Sequence, residues 1–315
     1  MRQVRPAALA ACLAALLCLG RTDAGAQALT KIHIISVPID VAAEPYYAVE
    51  MGFFKAAGID AEVSSMANGP AIIAALVAGS VEFGSGGTVS IATAHEKGIP
   101  IVVAAPAGFY TDKTPSEELV VAKTSTIAQP KDLNGKTIAV SGLKTIAEAS
   151  LHAWADKNGV DFSSLHLIEM PSSAMDDALA AGRIDAADLS EPVLSAALAA
   201  HSRAIASIFS AIAPEWMEGA FFCTADYAKA HPDIVRKFNQ VIAQTAVWAN
   251  AHHDETAQIL AKYTKIAPSP TMNRVIYKDR LRLADLQLLI DAGAKYGLLT
   301  KSFPASEIVV PGLGS

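Results

Sequence analysis

Hydrophobic and polar positions in this chain switch repeatedly between the two-residue period of strands and the 3.6-residue period of helices. Residues 31–37 (KIHIISV) predict a strand. Residues 45–57 carry apolar positions at helical spacing and stop at Gly58. A second strand is predicted at 59–65. Asn68-Gly69-Pro70 then marks a turn, with proline placed for a first helical turn. Helix continues over 71–78, with Ile72, Ile73, Leu76 and Val77 on one face and Gly79 as its stop. Residues 81–83 predict a strand running into Ser85-Gly86-Gly87-Thr88, followed by helix at 89–97. The run 99–105 is continuously apolar and β-branched, as in a strand buried on both faces. Strands alternating with helices predict an α/β fold with a mostly parallel sheet.

The same plan then recurs. KTIAVS at 136–141 mirrors KIHIIS at 31–36, and the helix end KNGVD at 157–161 mirrors AGID at 57–60. LAAGRIDA at 179–186 mirrors LVAGSVEF at 76–83. The matched positions lie between 101 and 105 residues apart, which predicts two lobes of similar topology and is far too long for a solenoid repeat. Extended segments at 118–123 and 219–224 flank the second lobe, after a polar stretch at 111–117 and a turn at 214–216. A helical tail (232–252, 254–263 and 282–296) has no sheet of its own and is expected to pack back on the first lobe. The chain then crosses between lobes twice, with the two extended segments as hinge strands. The expected division is 27–118 and 224–315 for lobe I, and 119–223, including the hinge strands, for lobe II.

Composition narrows the class. The 315 residues are 52% hydrophobic, 18% charged and 6% aromatic, with a formal net charge of −6. That is a globular composition of about two domains. The absence of a basic excess argues against nucleic acid as a partner. The low aromatic content argues against a site walled by many stacking rings. The first 26 residues combine a basic start, an apolar run at 7–20 and the small residues Ala24-Gly25-Ala26, which together predict a secretory signal peptide. The apolar run is shorter than a membrane span. Its removal takes away Arg2, Arg5, Arg21 and Asp23 and leaves a more acidic chain. Cys12 and Cys18 leave with it, so Cys223 remains without an internal disulfide partner. Leu9-Ala10-Ala11-Cys12 is similar to a lipoprotein cleavage box, but most of the apolar run lies beyond Cys12, which favours a free exported chain.

Four segments carry a resemblance. They are PYYAVEMGFFKAAGID at 45–60, ALVAGSVEFG at 75–84, PKDLNGKTIAV at 130–140, and HPDIVRKF at 231–238 followed by WANAHHDE at 248–255. In this order and spacing the chain resembles the periplasmic substrate-binding proteins of ABC importers, in the group that binds nitrate, sulfonates, taurine and thiamine pyrimidines. The resemblance implies the type II two-lobed fold, with two crossing strands and a ligand cleft between the lobes. It also implies a small-molecule ligand, an ABC permease and its ATPase as partners, membrane contact only through that permease, a periplasmic location and a monomer without cofactor. It leaves the ligand open.

Ligands of open α/β sheets bind at the carboxyl ends of strands, against helix N-termini. In the first lobe these ends are the loop 38–46, the Asn68-Gly69 turn and Ser85-Gly86-Gly87-Thr88. In the second they are residues 141–145 and 188–192. Candidate ligand contacts are therefore Pro38, Asp40, Glu44, Tyr46, Asn68, Ser85, Gly86, Gly87, Thr88, Ser141, Gly142, Lys144, Thr145, Asp188, Ser190 and Glu191. Phe109 and Trp216 join them as aromatics near the hinge. Glycines admit close backbone approach, and helix-start amides carry partial positive charge. Ser85–Thr88 carries the most weight among these, with a plain strand–helix turn capped by Thr88 as its alternative. Lys144 offers a positive charge for a carboxylate or sulfonate. Asp40, Glu44, Asp188 and Glu191 oppose an anion, unless they serve as caps or surface charges. The balance favours a small organic anion. Tyr47, Phe53 and Phe54 fit the core by helical spacing, and Cys223 reads as a small buried hydrophobe. No His-Glu-x-x-His, Cys-x-x-Cys or Gly-x-Ser-x-Gly motif occurs, which disfavours a metal site or an esterase-type enzyme. An exported enzyme on the same fold and a ligand-presenting sensor component remain the alternatives.

Overall fold

The computed structural model describes residues 28–314. The expected signal peptide, with Cys12 and Cys18, lies outside them. The first β-α units are β1 (Thr30–Ser36), α1 (Glu44–Glu50), α2 (Phe53–Ala56), β2 (Ile59–Ser65), α3 (Gly69–Val77), β3 (Phe83–Gly86), α4 (Thr88–Glu96) and β4 (Ile101–Pro106). The helix expected over 45–57 is two helices. Gly52 between them sits at φ +72, in the left-handed region where a right-handed helix cannot continue.

The chain continues through β5 (Gly108–Thr111), β6 (Glu117–Ala122), β7 (Thr137–Val140), α5 (Ile146–Asn158), β8 (His166–Glu169), α6 (Met175–Ala180), β9 (Ala186–Ser190), α7 (Val193–Ala199) and β10 (Ser202–Ala206). It returns through β11 (Glu215–Met217) and β12 (Ala220–Thr224). The tail comprises α8 (Ala225–Ala230), α9 (Pro232–Ala251), α10 (His253–Thr264), β13 (Ile276–Tyr277) and α11 (Leu283–Lys295).

The repeated pattern is a repeated sheet. The first sheet runs β2-β1-β3-β12-β4 and the second β8-β7-β9-β6-β10. β1 is parallel to β2 and β3, as β7 is to β8 and β9. In each sheet the fourth strand is antiparallel to both neighbours. The paired stop glycines, Gly58 with Gly159 and Gly79 with Gly182, all take positive φ. The expected α/β fold of two similar lobes is what the chain adopts.

The crossings differ from expectation. Residues 118–123 and 219–224, read as hinge strands, lie inside the sheets: β6 sits between β9 and β10, and β12 between β3 and β4. The paired crossing comes one step earlier. β5 and β11 run antiparallel, with Tyr110 opposite Trp216, and β13 adds to the other edge of β5. An apolar run predicts burial and extension, but not which sheet will pair with it.

Much of the tail packs on the first sheet. Val235, Phe238, Val241 and Ile242 of α9 join Phe54, Phe83 and Phe221 in one core cluster. The Phe83 and Phe238 rings stack at 4.0 Å. α11 departs from a first-lobe role, because Leu286 and Ile290 enter a first-lobe cluster while Leu289 packs with Ile146 and Leu151 of α5. Cys223 is buried in β12 among apolar residues.

Candidate functional site

The carboxyl ends of the strands from both sheets face one another across a cavity of about 80 Å³. First-lobe walls come from the end of β1 (Val37, Ile39), the start of α3 (Asn68, Gly69) and the β3–α4 junction (Ser85, Gly86, Gly87). Ser141, Thr145, Ile146, Ala147 and Ser190 close the second-lobe side, and Ala107, Glu117, Glu218 and Gly219 the crossing side.

The first-lobe wall is backbone-rich, with little room for a side chain at Gly86. A Cβ on Gly86 would lie 3.2 Å from Gly69 Cα and 3.2 Å from the Phe222 ring. Ser85 is fully buried, and its Oγ accepts from Ser36 Oγ and from Val37 N, both at 3.0 Å, tying β3 to the end of β1. Ser85 and Gly86 belong to β3 and Gly87 is the N-cap of α4, so the expected loop is shorter and Thr88 is not the cap. The first bond of α4 runs from Ser90 N to Gly87 O, and the Thr88 and Val89 amides precede it. Across the cavity α5 starts at Ile146 after Thr145, whose Oγ1 donates to Gly142 O at 2.9 Å. Two helix N-termini, one per lobe, thus present partial positive charge to one space.

The opposite wall is acidic. Glu117 opens β6, Glu218 joins β11 to β12, and Asp188 lies on β9; all three are buried. Ser190 Oγ donates to Glu117 Oε2, and Ser116 Oγ donates to Glu218 Oε2 at 3.0 Å. Burial is the main cause holding all three above the ordinary carboxylate range. The Glu117 charge pushes Asp188 and Glu218 further up. Among the described residues no lysine, arginine or histidine lines the cavity.

Direct bonds join the lobes at the rim. Asn68 Nδ2 donates to Ser141 O at 2.9 Å and to Glu169 Oε1 at 3.3 Å, while its Oδ1 caps α3 by accepting from Ala71 N. Asp40 N donates to Glu191 O at 3.0 Å, and Asn273 N donates to Glu191 Oε1 at 3.1 Å.

Of the sequence-derived candidates, Asn68, Ser85, Gly86, Gly87, Ser141, Thr145 and Ser190 line the cavity together. The others are placed elsewhere. Pro38 borders a separate recess. Asp40 is taken by Arg274, which donates to it through Nε at 3.0 Å and NH2 at 2.7 Å, a partner 234 residues away that no local pattern announces. Glu44 is fully buried, and burial raises its pKa well above the usual range. Tyr46 donates to Ser36 O at 2.9 Å and packs on Tyr263. Thr88 is buried with its Oγ1 unpartnered. Phe109 and Trp216 are core residues, the latter donating through Nε1 to Phe209 O at 3.2 Å. Gly142 packs beside Asn68. Lys144, at φ +55, borders a different recess with Pro70 and Thr93 and does not line the cavity. Asp188 does not line the cavity and is hydrogen-bonded to Glu117. Glu191 holds Ser195 and Asn273, with its pKa pushed up to about 7 chiefly by burial. The residues missed are Glu117 and Glu218. Each is an acid at or just before the start of a buried apolar strand, which was the available signal.

Among the described residues no group of three or more His, Cys, Asp or Glu is placed to hold a metal ion, and no helix is long and apolar enough to cross a membrane. The chain is 28% identical to the taurine-binding periplasmic protein of Escherichia coli (strain K12) over 214 residues, 65% of this chain and 62% of that protein. A 26% identical binding protein of Brucella abortus (strain 2308) is matched over 66% of its length, so the chain spans just under two thirds of these relatives. Among solved structures, the alkanesulfonate-binding protein SsuA from Xanthomonas axonopodis pv. citri, bound to MOPS, superimposes with a TM-score of 0.74 at 19% identity, covering 89% of this chain and 98% of that one. The zinc-bound ligand-binding component of an ABC-type import system from Staphylococcus aureus does so with a TM-score of 0.79 at 14% identity, covering 90% and 97%. At such identities these two show the fold, which is the two-lobed fold of periplasmic binding proteins. The NMT1/THI5-like family model matches residues 41–256, and with more than half of its length so matched this chain belongs to that family.

Proposed function

We propose that this chain is an exported, periplasmic solute-binding protein that captures one small organic molecule between its lobes and delivers it to an ABC importer. The observation that carries the reading is the cavity itself, lined from both sheets and bridged at its rim by Asn68. A solute touching both walls favours the bridged, closed arrangement over an open one, and a permease can read that difference. The β5–β11 pair is the natural pivot, which puts the lobe boundaries near 107–116 and 214–219. An acidic group on the solute would sit against the α4 and α5 starts rather than on Lys144. The chain would act as a monomer, without cofactor, touching the membrane only through the permease and its ATPase.

The test is a thermal-shift screen of small organic anions and zwitterions, followed by titration calorimetry and small-angle scattering. The reading expects saturable binding of one molecule per chain, no chemical change in it, and a contraction on binding. Turnover of a bound molecule, or saturation without contraction, would contradict it.

A further inference from the structure

We propose, resting on the solute-binding reading, that residues 265–275, which join α10 to β13, form a latch between the lobes that holds more firmly when Glu191 carries a proton. The segment has no helix or strand of its own. Asp40, in the loop after β1, pegs it to the first lobe. Its carboxylate accepts from Arg274 Nε and NH2 and from Val275 N at 3.1 Å, and the Tyr47 hydroxyl adds a bond at 3.2 Å. Asn273, one residue before the peg, reaches the other way. Its N–H donates to Glu191 Oε1, just beyond β9, and its Nδ2 donates to Pro115 O at 2.8 Å, in the crossing segment between β5 and β6. Adjacent residues thus hold opposite lobes. The peg is a two-pronged ion pair and the grip is two single bonds, so the grip is the side that yields when the lobes part.

Glu191 is 2% exposed, and its carboxyl group accepts from Ser195 N, Ser195 Oγ and Asn273 N. No ion pair among the described residues includes it. Asp40 is the charge that acts on it, from the β1–α1 loop, and Asp40 is paired with Arg274 of the latch. Glu44 acts on Asp40 in turn from the start of α1, and Glu117, at the start of β6, is bonded to Ser190. α7, which follows Glu191, carries no charged residue. Opening lifts the Asp40 loop and Asn273 from the carboxyl group and lets water in. A hydrated carboxyl group gives up its proton at lower pH than a buried one without a cation. In the closed chain, burial is the chief cause that pushes Glu191 from an ordinary 4.5 up to about 7. Between those values closing takes a proton from solvent. The latch is therefore fully held below about pH 4.5 and loosens as pH rises through about 7.

The test is amide hydrogen exchange of the dialysed, solute-free chain, read residue by residue by NMR and corrected for the intrinsic rate at each pH. The Asp40 and Asn273 amides both donate to Glu191, so their protection reports the latch. Both should exchange faster than amides inside either sheet, because lobe opening needs no unfolding. Their protection should fall at least about tenfold from pH 5.5 to pH 8. Glu191→Gln removes the titrating group and keeps an acceptor for Asn273 N, and should hold that change within about threefold. Asn273→Ala keeps its N–H but loses the Pro115 bond, and should lower Asp40 protection about fivefold at both pH values. Protection that ignores pH, a fall that persists in Glu191→Gln, or an Asp40 amide unmoved by Asn273→Ala overturns the inference. Asn68→Asp, which cuts the other clasp, tells that failure from a failure of the solute-binding reading. If it alone lowers Asp40 protection, the lobes still part and that reading stands. If neither pH nor any of the three variants moves the Asp40 amide, the inference falls and the closing motion of that reading falls with it.

Discussion

Replacing Asn68 with aspartate separates the two jobs of one side chain. Asn68 Oδ1 caps α3, and aspartate keeps an acceptor for Ala71 N. The Nδ2 group clasps the lobes, and aspartate removes both donors while setting a carboxylate near Glu169. One lost bond goes to a neutral carbonyl at 2.9 Å and the other to a carboxylate at 3.3 Å. At about 1 kcal/mol for the first and at least as much for the second, closure weakens by about 2 kcal/mol. Because the solute binds the closed form, its affinity should drop roughly 30-fold. The assay is calorimetry with the solute found in the titrations above, next to a thermal melt of the ligand-free variant. The melt should move little, since the cap survives. Unchanged affinity would refute the claim that this clasp contributes to closure. An equally large loss of stability would show that the side chain acts on folding instead.

Other groups give independent checks. Glu44 is fully buried, and its oxygens meet no partner beyond the residue's own amide, so Glu44→Met should raise urea stability by about 1–2 kcal/mol at neutral pH. Phe238→Ala removes a ring stacked on Phe83 and packed near Phe54 and Phe221; denaturant titration should show a loss of about 3–5 kcal/mol. Glu191 has its pKa raised from 4.5 to about 7, so between those values the folded chain holds the proton more tightly than the unfolded one. Its contribution is therefore full below about pH 4.5 and is lost as pH climbs through about 7, a change on the order of 3 kcal/mol. Melts of Glu191→Gln from pH 4 to 8 should show a correspondingly flatter decline than the parent chain.

The two-lobed plan was legible because helix–glycine–strand punctuation is local. Gly58, Gly79, Gly159 and Gly182 each end a helix at positive φ, and their spacing exposed the repeat. The backbone wall of the site was legible for the same reason, since Ser85-Gly86-Gly87 ends a short strand and precedes a helix. Charges were harder to place. Lys144 and Glu117 both flank strands, yet the first turns to another recess while the second lines the cavity. Long-range partners decide such cases, as Arg274 does for Asp40. The hinge was misplaced because a run such as 117–122 is buried whether it crosses between lobes or sits inside a sheet.

The central claim is that the interlobe cavity holds the solute, and Ala147 tests it most directly. Ala147 lies in the first turn of α5 and borders the cavity. Ala147→Leu adds three carbon atoms to a space of about 80 Å³ and keeps a helix-forming residue. Native mass spectrometry of the two proteins, purified side by side and shown by circular dichroism to be folded, reads the outcome. The account predicts one small molecule per parent chain and none on Ala147→Leu; a folded variant that still carries the same molecule at the same occupancy would contradict it.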